Sequence, residues 1–284
     1  MRHRIVKIAV AMPALMLLAV AAAAAAVPQV RHAASGWWNN PETLAGLPEN
    51  PQIRYEEGAL DRARIVADLL PAAIARVEAA QGRPFAHPAV VGVYLTPEAY
   101  AAANGTGVSG TVGVNFLGRV ILSPSLFTTK RQRLPSILVH ELSHAHIRSW
   151  MSELRFIALP NWFKEGLAVM VSGGGGAEEV SEWQARDAIR WGDRIAMNTG
   201  GSLLDWVGVR MEVAPEVPDT SARIQMAYRQ SGMFVSFLHD TNPVAFSTMM
   251  HAILDGQPFG EAVEAAYHTD LEVLWLRFLR ASGE

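Results

Sequence analysis

Between residues 58 and 81 apolar side chains return every three or four positions: Leu60, Ala63, Val66, Leu70, Ile74 and Val77. That period places them on one stripe of a helix, with Gly82 as its stop and Pro71 as a kink point. The pattern changes at residues 89–95, "AVVGVYL", a short β-rich run. Thr96-Pro97-Glu98 then opens another helix, Thr96 as its cap and Pro97 in its first turn. Residues 104–123, "NGTGVSGTVGVNFLGRVILS", hold two β-rich runs, 111–116 and 119–123, on either side of Leu117-Gly118. They predict a hairpin entered by a flexible loop. From Arg133 the period is helical almost throughout: 135–150, 161–171, 178–192, 221–239, 244–255 and two short C-terminal helices. Four consecutive glycines, 173–176, read as a joint, and residues 207–220 as a proline-containing loop.

Residues 28–53 are rich in Pro, Gly, Asn and small side chains with little period, and read as a linker that leads to a folded domain over 58–284. There is no internal repeat at solenoid periods. The fold expected is α+β: a small sheet-and-hairpin part over 58–132, followed by a mainly helical part over 133–284.

Composition narrows the classes of function. With 284 residues, half of them hydrophobic, the chain can bury a sizeable core. A net charge of −3 without any block of like charge excludes a nucleic-acid arm, so no nucleic-acid partner is expected. The absence of cysteine excludes disulfides, thiolate zinc sites, a cysteine nucleophile and a lipid-anchored cysteine. A metal must therefore be held by His, Asp or Glu. At the N-terminus, Arg2, Arg4 and Lys7 precede an uncharged, mostly apolar run over 8–27 that ends in six alanines, 21–26. This reads as an export signal or, if retained, a membrane anchor. In either case the basic end stays cytoplasmic and the body is exported, periplasmic or secreted.

The candidate chemistry lies in "SILVHELSHAHIRSW", residues 136–150. His140 and His144, four apart on a helix, share one face, and Glu141 sits beside the point that they address. Two buried, hydrogen-bonded histidines would leave the same trace. A catalytic zinc site needs a third protein ligand and an open position. Downstream, "LPNWFKEGLAVMV" places Glu165 after twenty intervening residues, at the opening of an apolar helix where an acid also suits the helix dipole. The helix-loop-helix is short enough to fold Glu165 onto the two histidines. His146, about 200° around the helix from His144, faces away and reads as packing. His87, His239, His251 and His268 have no ligand-like partner at useful spacing, and the tryptophans and methionines read as core and groove lining.

"HELSH" followed by "NWFKEGLA" resembles the gluzincin metallopeptidases, most closely the bacterial Peptidase-MA-like group, whose pattern is HExxH followed by a W-x-x-E-G-L/F-A helix. The resemblance covers residues 58 to the C-terminus and rests on these two motifs. It implies a zincin-like helical active-site region, one Zn2+ per chain held by His140, His144 and Glu165, and Glu141 as general base. "AYRQSGMFVSFL" is also similar to the family's Tyr-x-x-Ser helix and nominates Tyr228 as the hydroxyl that stabilises the oxyanion. Two departures stand out. Val169 occupies the place where some gluzincins carry an aspartate that orients a ligand histidine, and the hairpin lacks the acid with which aminopeptidase relatives bind a free amine.

The expectation is an exported zinc metallopeptidase that hydrolyses internal bonds of peptide or protein substrates, with residues 111–116 as an edge strand for extended chains. Attachment to the membrane would run through residues 8–27. The alternative is a degenerate gluzincin-like module that binds metal or a partner protein in the cell envelope, against which the intact Glu141 argues. A third reading is a helical module whose histidines are merely packed.

Overall fold

The computed structural model describes residues 27–201, 211–212 and 221–283. The apolar run, up to residue 26, and most of the expected loop over 207–220 lie outside the described residues. No described helix is long and apolar enough to cross a membrane.

The segment read as a linker is structured. It forms α1 (Pro28–Trp38), a 3-10 turn capped by Asn40, and strands β1 (Ala45–Leu47) and β2 (Asn50–Tyr55). Its weak period misleads because each strand buries one apolar side chain, Leu47 or Ile53, and its order comes from pairing with a strand some forty residues away. The next helix, α2 (Leu60–Gln81), buries Ala63, Val66, Leu70, Ala73 and Val77 and stops at Gly82. Then come β3 (Val90–Val93) and α3 (Pro97–Ala103), the latter capped as expected by Thr96, which accepts from the Ala99 N–H at 3.2 Å. The hairpin of β4 (Gly113–Phe116) and β5 (Arg119–Leu122) turns through Leu117 and Gly118, both at positive φ, the tight turn whose twist matches antiparallel strands.

The sheet order is β1-β2-β3-β5-β4. β2, β3 and β5 run parallel in the middle, while β1 and β4 are antiparallel edges. The helical part comprises α4 (Leu134–Trp150), α5 (Glu153–Ala158), α6 (Asn161–Ser172), α7 (Glu182–Arg190), α8 (Ser221–Thr241), α9 (Pro243–Leu254), α10 (Phe259–Tyr267) and α11 (Leu271–Ser282). Between α7 and α8, β6 (Arg194–Ile195) pairs with β7 (Met211–Glu212). The fold is α+β, as expected. The pattern did not single out α5 or the β6–β7 ribbon, both too short to express a period.

One continuous core runs from Leu47 and Ile53 through α2, α4 and α6 to Leu279, so the sheet and the helices fold as one body. At its centre lies α4, whose residues 137 to 147 are all buried between the sheet, α2 and α6. A helix enclosed on every side can keep polar side chains only where they find partners, which is what makes His140, Glu141 and His144 informative. On the far side of α6, α8 approaches so closely that a methyl group on Gly166 would lie 2.5 Å from the Ser231 carbonyl oxygen. Trp162 and Phe163 of α6 pack with Phe234 and Phe259, and truncating fully buried Phe163 would cost roughly 3–5 kcal/mol.

Candidate metal centre

The helical phase of α4 aims two imidazoles the same way, and the packing of α6 on α4 brings the third group. His140 Nε2 lies 3.3 Å from His144 Nε2 and 3.3 Å from Glu165 Oε2, and His144 Nε2 lies 3.5 Å from the same oxygen. The three ligand atoms lie within 4.8 Å of one another. This buried His-His-Glu group can hold a metal ion.

The electrostatics of the group favour a cation at the shared point. Burial resists charge on His140, but Glu165, Glu141 and the Gly175 carbonyl outweigh it and push the imidazole up to about 9. Burial likewise works against the Glu165 carboxylate, yet His144 and His140 hold it far below the usual carboxylate range. His144, buried beside cationic His140 and Arg148, is pushed down despite Glu165. The two Nε2 atoms and the Glu165 carboxylate thus face one point at which positive charge is favoured.

Orientation of His140 comes from an unexpected source. Its Nδ1 donates to the Gly175 carbonyl at 2.8 Å, which fixes the tautomer and leaves Nε2 directed at the shared point. The four glycines are therefore a bracket over His140. Gly176 has φ +87°, and a methyl group there would lie 2.9 Å from His140 Cε1, so any other residue would strain the turn and press on the imidazole. Glu178 accepts from the Gly176 N–H at 3.0 Å and pairs with Arg133 at 2.8 Å. Arg229 donates to the Ala177 and Val180 carbonyls at 2.8 and 2.7 Å. Val169 is buried against α8, facing Gly232. His144 Nδ1 is buried with no partner among the described residues.

The Glu141 carboxyl lies under β4, within electrostatic reach of His140 and Glu165. Burial pushes this carboxyl up to about 7, aided by Glu165 and opposed by His140 and Arg148. Edge strand β4 covers it: a methyl group on Gly113 would lie 3.0 Å from Glu141 Oε1. The Asn115 Nδ2 donates to the Glu141 backbone carbonyl at 3.2 Å. Arg148, one turn beyond His144, donates to the Asn115 carbonyl at 3.1 Å and to its Oδ1 at 2.5 Å. The same guanidinium pairs doubly with Glu153 and lies 3.7 Å over the Phe156 ring. Spacing four residues from His144 was the available signal for Arg148; nothing in the sequence pointed to Asn115.

Tyr228, half-buried on α8, stacks on the His140 ring with centroids 6.3 Å apart. Burial, reinforced by Glu165 and Glu141, raises its phenol well above the ordinary range and keeps it protonated. The serine of Tyr-x-x-Ser, Ser231, instead bonds the Ala227 carbonyl inside α8 at 2.7 Å. His146 faces away, as expected, bonded to the Arg83 carbonyl at 2.9 Å and edge-on to Phe85. His87, His239 and His251 lie elsewhere: His87 lines a shallow surface cleft, His239 pairs with Asp240, and His251 bonds the Gly82 carbonyl. No protein-family model, curated protein or solved structure matches the chain.

Proposed function

We propose that the protein is an exported, zinc-dependent metallopeptidase that hydrolyses internal peptide bonds. The observation that carries this reading is the convergence of His140 Nε2, His144 Nε2 and Glu165 Oε2 on one point, with a buried carboxyl, Glu141, beside it. Two imidazoles and a carboxylate are a donor set of catalytic zinc, which leaves a coordination position open. A zinc ion bound there would polarise a carbonyl oxygen and make water acidic near neutral pH.

The remaining steps belong to the chain. Glu141, a buried carboxyl, would accept a proton from the attacking water and return it to the leaving amine as the C–N bond breaks. Protonated Tyr228 donates a hydrogen bond to the oxygen on which charge develops, an effect worth roughly 3 kcal/mol for one donor.

Substrate is held by the sheet edge. The tight turn makes Phe116 and Arg119 a hydrogen-bonded pair, and Ser123 N–H donates to the Val112 carbonyl, so Val114 bonds β5 while Gly113 and Asn115 face outward. Arg148 occupies the Asn115 carbonyl, which directs an extended peptide to the main chain about Gly113, beside Glu141. β4 carries no acid to capture a free amino terminus, which favours cleavage within chains.

The rival is a module that binds metal or a partner protein without turnover, for which the same His-His-Glu group would suffice. Zinc content and digestion of an N-terminally blocked peptide pool by the purified chain separate the two. The expected result is about one zinc equivalent with internal cuts, cuts lost in Glu141→Gln with zinc retained, and slower cutting in Tyr228→Phe. Zinc without cleavage leaves the binding module; a chain that takes up no metal ends both readings.

A further inference from the structure

Two of the eight tryptophans, Trp37 and Trp38, end α1 with 63% and 82% of their surface exposed. Adjacent exposed indoles combine a large apolar area with a polar N–H, the chemistry favoured at a membrane–water boundary. They belong to one outward face, since Val27, Arg31, Ala34 and Trp38 follow at helical spacing and are all exposed. The opposite face is fixed to the body. Ser35 Oγ donates to the Ala102 carbonyl at 2.9 Å, and a methyl group on Gly36 would lie 2.7 Å from Gly105 N. The tryptophans therefore cannot turn inward without unseating α1.

Charge singles out the same region. Between the apolar run and Glu42 the chain carries one cation, Arg31, and no acid, whereas from Glu42 on it has 20 Lys and Arg (24 less the four that precede Glu42) against 27 acids, so an acidic body carries an acid-free end. Trp183 and Trp191 on and after α7 are as exposed, but they stand among Glu178, Glu179, Glu182, Asp187 and Asp193. What precedes α1 in the chain is the uncharged run over 8–27. At the junction Val27 is extended, with φ −116° and ψ 106°, and Pro28 opens α1. Its eleven residues span roughly 16 Å, which keeps the indoles within reach of the surface at which the apolar run would end.

We propose that α1 is an interfacial helix whose Val27, Arg31, Ala34, Trp37 and Trp38 face lies on an anionic lipid headgroup surface. Because its inner face is locked to the loop before β4, this contact sets the orientation of the whole body on the membrane. The proposal is independent of the peptidase reading.

The absence of cysteine makes the test direct, because one introduced thiol carries the only label. A nitroxide at Ala34→Cys, in the full chain reconstituted into vesicles of equal parts phosphatidylethanolamine and phosphatidylglycerol, reports collisions with lipid-soluble oxygen against a water-soluble nickel chelate. The expected oxygen preference at position 34 exceeds that at a Trp191→Cys control. It should fall to about half or less when Trp37→Ser and Trp38→Ser are added, and in vesicles of phosphatidylcholine alone. A value at 34 no higher than at 191, or one unaffected by loss of both indoles, overturns the proposal and reduces residues 8–27 to a tether.

Discussion

α4 is held between two walls that fix different atoms of the same helix by different means. Toward α6 and α8, His140 is set by backbone: the glycine turn, which an added Cβ would strain, presents the Gly175 carbonyl to Nδ1. Toward the sheet, Glu141 is set by side chains, because Arg148 ties β4 to the helix through Asn115. The His140 wall is a close backbone fit in which an added Cβ would clash; the Glu141 wall is a polar clamp of side chains. Metal binding and turnover should therefore be separable by mutation.

The largest effect expected is on the ligand side. Removing a donor in His140→Ala or Glu165→Ala should take metal content from about one equivalent to almost none by elemental analysis. Full occupancy in either variant would break the assignment. On the base side, Glu141→Gln should keep the metal while peptide turnover falls at least about a hundredfold. Retained turnover would remove Glu141 from the chemistry.

Gly176→Ala sharpens the contrast, since its methyl group would press on His140 Cε1 from 2.9 Å at a φ of +87°. Metal affinity, read by competition with a chelator, should weaken by about 10–100-fold. Unchanged affinity would mean that the turn does not orient His140. The smallest effect belongs to Arg148→Met, which keeps an unbranched apolar chain but drops the hydrogen bonds to Asn115, the pairing with Glu153 and the cation over Phe156. Turnover should fall by about tenfold, chiefly through KM, with metal affinity unchanged. A loss of metal in this variant would dissolve the distinction between the walls.

Parts of both walls were legible beforehand. The amphipathic stripe of α2, the Thr96 cap and the Leu117-Gly118 turn are local features, and each appears where the residue pattern put it. The 28–53 segment was misread because β1 and β2 bury one apolar side chain each and owe their order to sheet pairing. The joint at 173–176 was seen as glycine, yet its use of a main-chain carbonyl could not be, since every residue carries that group. Val169 marked a missing acid without indicating what takes its place.

By itself the sequence determined the phase of α4, because a spacing of four residues closes on one face through bonds within a single helix. His140 and His144 therefore converge, and Glu141 lies beside them, before any tertiary contact forms. Only the tertiary structure decided that Glu165 reaches their Nε2 atoms, that Gly175 turns His140, and that Arg148 holds β4 over Glu141. Those contacts join residues from distant turns of the chain, and their strength comes from burial and packing that no local pattern encodes.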